Sequence, residues 1–327
     1  MDMTGRSRFC ALVVVTALAG FAIFVLHARF EHDLAAAAAR AAQGSKVVTT
    51  RCGPIEYQQG GHGIPLLMIH GSGGGHDQGM AWARPLIGDG VRVIAMSRFG
   101  YLRTPRPADA SPEAQADAHV CLLDALGIGT AAIVGVSAGS PSALQTAIRY
   151  PDRVAALVLV VPIAYKPDTV TDSAPPVSDD KDAMLLRLLG SDLLFWLGLH
   201  AARDQVFRHV LATPPEQIAA ASAEERARVN DMADRILPVS ARAAGLRDDT
   251  RLGKHLGPYP LERIRAPTLV FSARDDGFGT YAAAEYTASR IPGATFIGFE
   301  HGGHLLVGRS DAVRTRLVEL IVLPPKP

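Results

Sequence analysis

The strongest constraint on the fold is a segment in which an apolar run ends at a serine flanked by glycines. Residues 131–136, Ala-Ala-Ile-Val-Gly-Val, form a short apolar run typical of a central strand that is covered on both faces. Pro141 then suits the first turn of a helix, and apolar residues continue at helical spacing over 143–148. Ser137 therefore lies at a strand-to-helix junction with almost no loop, and the glycines two residues to either side relieve the crowding there.

The pentapeptide Gly-Val-Ser-Ala-Gly at 135–139 matches the pattern G-x-S-x-G, in which a sharp turn presents a serine hydroxyl for nucleophilic attack. The helix that follows directs its amino end at the serine, where it favours developing negative charge. Because glycine and serine are also common at ordinary connections between strands and helices, the pentapeptide alone leaves both interpretations open.

Strands and helices alternate along most of the chain after about residue 46, which predicts a mostly parallel sheet wrapped on both faces. Strands are predicted over 54–59, 65–70, 91–97, 131–136, 154–161, 267–273 and 295–299, and helices over 111–126, 280–291 and 310–320. The alternation is interrupted over 163–265, where the pattern is mainly helical. We expect this insertion to be a cap over the carboxyl ends of the strands, on a core formed by 47–162 and 266–327.

The N-terminal segment contains the longest apolar run without charge. Phe9 to Leu26 is 18 residues, which as a helix would be roughly 27 Å long against a bilayer core of about 30 Å. Arg6 and Arg8 precede the run and favour keeping the short tail in the cytoplasm. Residues 1–30 are therefore predicted to be a signal anchor or a cleaved signal peptide, followed by a spacer over 31–46. An anchor would hold the domain at the membrane outside the cytoplasm, and cleavage would give an exported soluble protein.

Composition narrows the possible partners. The formal net charge is +1, so there is no electrostatic case for binding nucleic acid. The three cysteines lack the spacing of a metal site, and we expect neither a metal nor an organic cofactor. Cys52 and Cys121 are either plain structural residues or, in an exported domain, a disulfide. No pattern indicates an oligomeric state.

A serine nucleophile needs a base that takes its proton and an acid that orients the base. His301 and His304 are the only histidines after the predicted cap, and they directly follow a predicted strand. Asp275 and Asp276 directly follow another predicted strand. Each pair lies just beyond the carboxyl end of its strand, as the serine does, and the chain order serine, aspartate, histidine suits a serine hydrolase of this architecture.

The reaction intermediate also needs backbone N–H groups directed at its negative oxygen. The amide of Ala138, next to the nucleophile, is one candidate. The loop that begins at His70 and continues Gly-Ser-Gly-Gly-Gly is the other source, since its glycines permit close approach; we expect the amide of Ser72, or alternatively that of Gly73. A phosphate-binding loop is disfavoured, because neither G-K-[ST] nor the G-x-G-x-x-G frame is present.

Taken together, these segments resemble the α/β-hydrolase superfamily over about residues 52–320. The resemblance rests on HGSGGG at 70–75, SRFGYLRTP at 97–105, GVSAG at 135–139, PTLVFSARDD at 267–276 and GGH at 302–304. It implies an α/β-hydrolase fold, with a mostly parallel, doubly wound sheet and a helical cap insertion behind the N-terminal membrane or signal segment.

The resemblance also selects among the candidate residues. It implies Ser137 as nucleophile, Asp276 as acid and His304 as base, and it leaves Asp275 and His301 as solvated neighbours. Residues 97–100, Ser-Arg-Phe-Gly, depart from the Asp-x-x-Gly loop of many members, so no role in the site is assigned to them.

These residues predict acyl transfer to water, with carboxylic esters as the default substrate. Thioester, lactone, amide and carbon–carbon substrates fit the same groups, as does cofactor-free perhydrolase activity; a non-catalytic binding protein on this scaffold is a further alternative. The partner is expected to be a small apolar acyl compound. The strongly apolar segment 184–199 is either cap helices packing on the core or a channel for acyl chains, and Phe195 and Trp196 suit both interpretations.

Overall fold

An eight-stranded sheet forms the centre of the computed structural model, which describes residues 3–170, 190–253 and 256–322. The strands are β1 Lys46–Thr50, β2 Gly53–Gly60, β3 Ile64–Ile69, β4 Val91–Met96, β5 Ala131–Val136, β6 Val154–Val160, β7 Thr268–Ala273 and β8 Thr295–Phe299. Their order is β1-β2-β4-β3-β5-β6-β7-β8. Only the β1–β2 and β2–β4 pairs are antiparallel among the described strands, so the predicted mostly parallel sheet is confirmed.

Helices cover both faces of this sheet. The described α-helices of six residues or more are Met3–Ala42, His76–Ala83, Pro112–Ala125, Ser140–Arg149, Asp192–Ala201, Pro215–Ala220, Ala223–Asp234, Ala243–Gly253, Thr280–Arg290 and Ser310–Ile321. The sequence prediction did not include strand β1 or the helix His76–Ala83.

Successive residues of β5 contact opposite sides of the molecule, which explains its unbroken apolar sequence. Ile133 belongs to one buried cluster with Leu122 and Leu144. Val134 belongs to a second cluster with Leu86 and Leu317. The strand that leads into the serine turn is thus held from both faces of the sheet.

The cap has an apolar core of its own. Part of the predicted cap, residues 171–189 and 254–255, lies outside the described residues. In the part that is described, Phe195 and Trp196 are buried with Phe207, Val229 and Ile236. Phe195 and Trp196 therefore pack inside the cap, and the part of the apolar segment at 184–189 lies outside the described residues.

Two buried ion pairs connect the cap to the core. The guanidinium of Arg242 lies 2.9 Å from the carboxylate of Asp77, and that of Arg98 lies 2.7 Å from the carboxylate of Asp249. Buried charges are tolerated only when they are paired and hydrogen-bonded. Each pair therefore fixes where the cap sits on the core.

The N-terminal helix Met3–Ala42 is the one described helix long and apolar enough to cross a membrane. Its apolar run is exposed, but the helix continues without a break into contact with the cap. The Phe30 ring lies 5.7 Å from the Trp196 ring, and the Trp196 indole donates a 3.0 Å hydrogen bond to Asp33. Arg40 donates to the backbone carbonyl of Asp234 at 2.8 Å. The predicted spacer is thus helical as far as Ala42 and is packed on the folded domain.

Cys52 and Cys121 form a disulfide, the second of the two interpretations that the sequence left open. The bond connects the turn between β1 and β2 to the helix Pro112–Ala125. Because β1 and β2 lie at one edge of the sheet, the disulfide ties that edge to a helix of the core.

Replacing Phe30 by alanine is expected to destabilise the protein, because this side chain is only 8% exposed and packs on the cap. A buried phenylalanine that is truncated to alanine costs up to about 3–5 kcal/mol. Phe24→Ala is the matched control on the same helix, since Phe24 is 66% exposed. Unfolding in detergent solution measures both variants; equal stability would contradict the packing of the helix on the cap.

His119 predicts a loss of stability in mild acid. Burial lowers the pKa of His119 to about 3, while its Nδ1 lies 2.9 Å from the hydroxyl oxygen of Thr146. In the unfolded chain the imidazole binds a proton below about pH 6.5, whereas the folded protein does not until about pH 3. The free energy of unfolding therefore decreases as the pH is lowered through this window, by at most about 1.4 kcal/mol per pH unit from this residue.

The variant His119→Asn removes this titration. Between pH 7 and pH 5 it should lose about 2 kcal/mol less stability than the unaltered protein, since the carboxylates contribute equally to both. Urea unfolding at several pH values makes the comparison. Parallel pH profiles for the two proteins would show that His119 is not the group responsible.

Candidate active site

The turn at Ser137 is sterically strained and admits only glycine two residues before and two residues after the serine. Ser137 has φ 49°, in the left-handed region that side chains disfavour. A Cβ at Gly139 would lie 2.6 Å from the carbonyl oxygen of His70, and one at Gly135 would lie 2.6 Å from the Cβ of Ala143. The steric reason inferred from the sequence for these glycines is therefore present in the structure.

Ser137, His304 and Asp276 are hydrogen-bonded in series. The Nε2 atom of His304 lies 2.9 Å from the Ser137 hydroxyl, and its Nδ1 lies 2.8 Å from the Asp276 carboxylate. A carboxylate only accepts hydrogen bonds, so Nδ1 carries the proton and Nε2 is free to accept from the serine. The Asp276 carboxylate is buried and also accepts from the Thr280 hydroxyl at 2.5 Å and the Phe278 amide at 2.9 Å.

The expectation of a solvated Asp275 is wrong. The side chain is 21% exposed, and its carboxylate accepts from the backbone amides of Gly303 at 2.8 Å and Gly302 at 3.4 Å. It also accepts from the Gln217 amide. Asp275 thus fixes the backbone just before His304, whereas the His301 side chain is 73% exposed as a solvated neighbour should be.

The glycine loop passes directly beside the serine. A Cβ at Gly71 would lie 3.0 Å from that of Ser137, and Ser72, Gly73 and Ala138 all line the same cavity as Ser137. The structure thus brings together all of the residues expected to supply oxyanion contacts. Which of Ser72 and Gly73 donates its amide stays a prediction.

His70 fixes the orientation of the peptide between Gly71 and Ser72. Its Nδ1 donates to the Gly71 carbonyl at 2.7 Å, and its Nε2 accepts from the Arg98 amide at 3.0 Å. Burial and the charge of Arg98 hold the pKa of His70 well below its ordinary value, so the ring is neutral and keeps this tautomer. In a trans peptide the C=O and the following N–H point in opposite directions, so holding the Gly71 oxygen also directs the Ser72 amide.

The loop at 97–100 contributes to the site, although the sequence assigned it no role. The Ser97 hydroxyl donates to the buried carboxylate of Glu56 at 2.9 Å, and that carboxylate also pairs with Arg103. The Arg98 guanidinium donates to both oxygens of Asp249 at 2.8 and 2.7 Å. Sequence reasoning missed Asp249 as well, because no local pattern connects a cap residue to this loop.

A cavity of about 360 Å³ opens beside Ser137 and is lined mainly by apolar side chains of the core and the cap. These are Trp82, Val136, Val160, Ile163, Val210, Leu211, Met232, Ile236, Leu246, Leu252, Phe278, Leu305 and Leu306. The charged groups in the described part of its wall, Arg228 and Asp249, are both paired. Arg228 donates to both oxygens of Glu225 at 2.8 and 2.9 Å, and Asp249 accepts from Arg98. The cavity therefore suits an uncharged, apolar ligand.

Comparison with known proteins gives related hydrolases. A 2-hydroxymuconate semialdehyde hydrolase from Pseudomonas sp. (strain CF600) is 44% identical over 104 residues, which cover 31% of this chain and 37% of that protein. One of the same name from Pseudomonas putida is 33% identical over 208 residues, which cover 55% of this chain and 74% of that protein. The match to the first relative thus spans little more than a third of its length.

A solved structure agrees over a longer stretch. An alpha/beta hydrolase fold protein from Nakamurella multipartita is 30% identical, with a TM-score of 0.67 over 85% of this chain and 98% of that one. The family described as alpha/beta hydrolase fold matches residues 64–308, which include the serine turn, both aspartates and both histidines. The chain therefore belongs to the α/β-hydrolase family.

Proposed function

We propose that the protein is a serine hydrolase that transfers an acyl group to water, with a carboxylic ester as its substrate. The observation that carries this proposal is the hydrogen-bonded series Ser137, His304 and Asp276, whose hydroxyl end faces an apolar cavity. A serine with a base oriented by a buried carboxylate is the arrangement that acyl transfer requires.

In the proposed reaction Ser137 Oγ attacks the substrate carbonyl while His304 Nε2 takes the serine proton. Asp276 holds the opposite nitrogen and stabilises the imidazolium that forms. The amides of Ala138 and Ser72, or alternatively Gly73, donate to the oxyanion. His304 then protonates the departing alcohol and deprotonates the water that releases the acid. Neither a metal nor an organic cofactor takes part in this proposal.

The names of the relatives favour a second candidate, an oxo-acid such as 2-hydroxymuconate semialdehyde. A carboxylate bound in an apolar cavity needs a cationic partner. Arg228, the cation in the described part of the wall, is already paired with Glu225, which favours the ester. Hydrolysis of aliphatic p-nitrophenyl esters and of 2-hydroxymuconate semialdehyde by the same preparation separates the two candidates. Thioester, lactone, amide and perhydrolase activities use the same groups.

Ser137→Ala is expected to abolish ester hydrolysis and labelling by a fluorophosphonate probe, because it removes the attacking oxygen. Asp276→Asn and His304→Ala should lower kcat by a factor on the order of 10⁴, because the three residues act as a unit. Fluorophosphonate labelling followed by identification of the modified residue makes the primary measurement. Undiminished labelling of Ser137→Ala would refute the assignment of Ser137 as nucleophile, whereas an unaltered protein that is not labelled would favour the alternative of a non-catalytic protein.

The chain offers matched controls one and three residues away. Asp275→Asn and His301→Ala keep the hydrogen-bonded series and should reduce kcat by about tenfold at most, the equivalent of one hydrogen bond. Steady-state kinetics compares each control with Asp276→Asn and His304→Ala. Similar losses within either pair would show that the acid or the base has been assigned to the wrong neighbour.

We further propose that residues 9–26 hold the protein in the membrane, with the catalytic domain outside the cytoplasm. The exposed apolar run and the disulfide support this location, because disulfides persist in oxidising compartments. The packing of Phe30 and Ala37 on the folded domain supports an anchor over a signal peptide cleaved between residues 30 and 42, since such cleavage would remove buried contacts.

Thiol alkylation tests the proposed location. The full-length protein should sediment with membranes, and when it is denatured without reductant Cys52 and Cys121 should resist alkylation. A version lacking residues 1–26, which keeps the packed Phe30, is the control, since cytoplasmic expression should leave both thiols reactive after denaturation. Recovery of the full chain in the soluble cytoplasm with both cysteines alkylated would be incompatible with the proposal. A shortened N-terminus on soluble exported protein would exclude only the anchor.

A further inference from the structure

A cap residue, Asp249, contacts the loop that supplies the proposed oxyanion donor. Asp249 lies on the helix Ala243–Gly253 and its side chain is 6% exposed. It accepts two hydrogen bonds from Arg98, one from the Tyr101 hydroxyl and one, at 2.9 Å, from the Ser72 hydroxyl. Burial and the charge of Asp249 raise the pKa of Tyr101 well above its ordinary value, so Tyr101 stays a donor.

We propose that Asp249 is a positioning residue that, through the Ser72 hydroxyl, holds the Ser72 backbone amide towards the oxyanion. The inference rests on the function proposed above. On this proposal the oxyanion hole is formed by amides of the core and is held in place by a residue of the cap.

The glycine loop requires such external support. Four of the five residues after His70 are glycines, and Gly73 has φ 72°, so the backbone has few intrinsic restraints. Its side-chain contacts in the described residues include the following three hydrogen bonds, besides a bond between the Gly73 backbone and Tyr101 of the core. His70 holds the Gly71 oxygen at 2.7 Å, Arg242 of the cap holds the Gly74 oxygen at 3.1 Å, and Asp249 holds Ser72. Two of these three contacts come from the cap.

The Asp249 carboxylate also neutralises the buried positive charge of Arg98. Arg98 is 7% exposed, and its guanidinium lies 5.0 Å from the Tyr101 ring centre while it pairs with Asp249. Replacing Asp249 would therefore leave a buried cation without its partner, an effect separate from any effect on Ser72. The decisive variant must therefore remove the hydrogen bond between Ser72 and Asp249 by changing Ser72.

Ser72→Ala is that variant, because it removes the hydroxyl and keeps the amide. The Ser72 side chain is exposed, so its loss opens no buried cavity. We expect kcat on a p-nitrophenyl ester to fall by about tenfold or more with KM unchanged, since the oxyanion contact forms only in the transition state and a whole donor is worth about 10²–10³. The rate of fluorophosphonate labelling should fall in parallel. Ser72→Thr keeps a hydroxyl and should restore both rates.

Asp249→Ala completes the test together with the double variant, because alanine cannot accept the Ser72 hydrogen bond. If Asp249 acts through Ser72, the double variant should lose no more kcat than Asp249→Ala alone. Asp248→Ala is the matched control on the same helix, since it breaks only a surface pair with Arg106 at 2.6 Å and should keep full activity. The Ser72→Ala result stands on its own if Asp249→Ala fails to fold.

Three results would overturn the proposal. A kcat of Ser72→Ala within about twofold of the unaltered protein would show that the hydroxyl does not position the amide. A higher KM at unchanged kcat would assign Ser72 to substrate binding alone, and losses that simply add in the double variant would separate Asp249 from Ser72. Absence of labelling in the unaltered protein is a different outcome, because it refutes the proposed function and this inference with it.

Discussion

The close approach of three backbone segments at Ser137 is the constraint on which the rest of the site depends. The ends of β3 and β5 and the start of the helix Ser140–Arg149 meet there, with distances that leave no room for a Cβ at Gly135 or Gly139. The price of this crowding is a serine in a strained conformation, held because the sheet is packed from both faces. The crowding also brings the glycine loop to the hydroxyl, so nucleophile and neighbouring amides are set by one geometric condition.

Buried ion pairs between the cap and the core are the second constraint on the site. Arg242 and Arg98 are buried and each is paired with a carboxylate across the boundary between cap and core. Such pairs are weak evidence for stability, because desolvation offsets most of their attraction. Their effect is directional, since a displaced cap would leave buried charges unpaired. The apolar cavity walls and the loop contacts therefore depend on one docked position.

Much of the core could be predicted from the sequence because its signals are local. The strands show as short apolar runs, and Asp276 and His304 show as polar residues just after two of them, where parallel strands end together. The contact of Arg98 with Asp249 spans 151 positions and has no pattern that periodicity can show. The local pattern alone does not separate Asp275 from Asp276; the family resemblance selects Asp276, and only the structure shows that the Asp275 carboxylate binds backbone amides.

The packing of the end of the N-terminal helix on the folded domain could not be predicted, because the buried residues there are small. Ala37 and Ala41 are buried against the folded domain, yet an alanine-rich segment looks the same in a sequence whether it is solvated or packed. The sequence predicts a helical or flexible spacer here; the structure has the helix and adds its packing on the folded domain. The absence of large apolar side chains in that stretch permits close packing. It also removes the periodic apolar pattern from which a buried helix face is predicted.

That unbroken helix has a mechanical consequence. Its 40 residues extend about 60 Å at 1.5 Å per residue, and its far end is fixed to the cap by Phe30, Asp33 and Arg40. A rod with no swivel passes tilt and rotation from one end to the other. Because residues 9–26 and the packed residues Phe30 to Arg40 belong to one continuous helix, anything that binds the apolar run also restrains the position and orientation of the cavity beside Ser137.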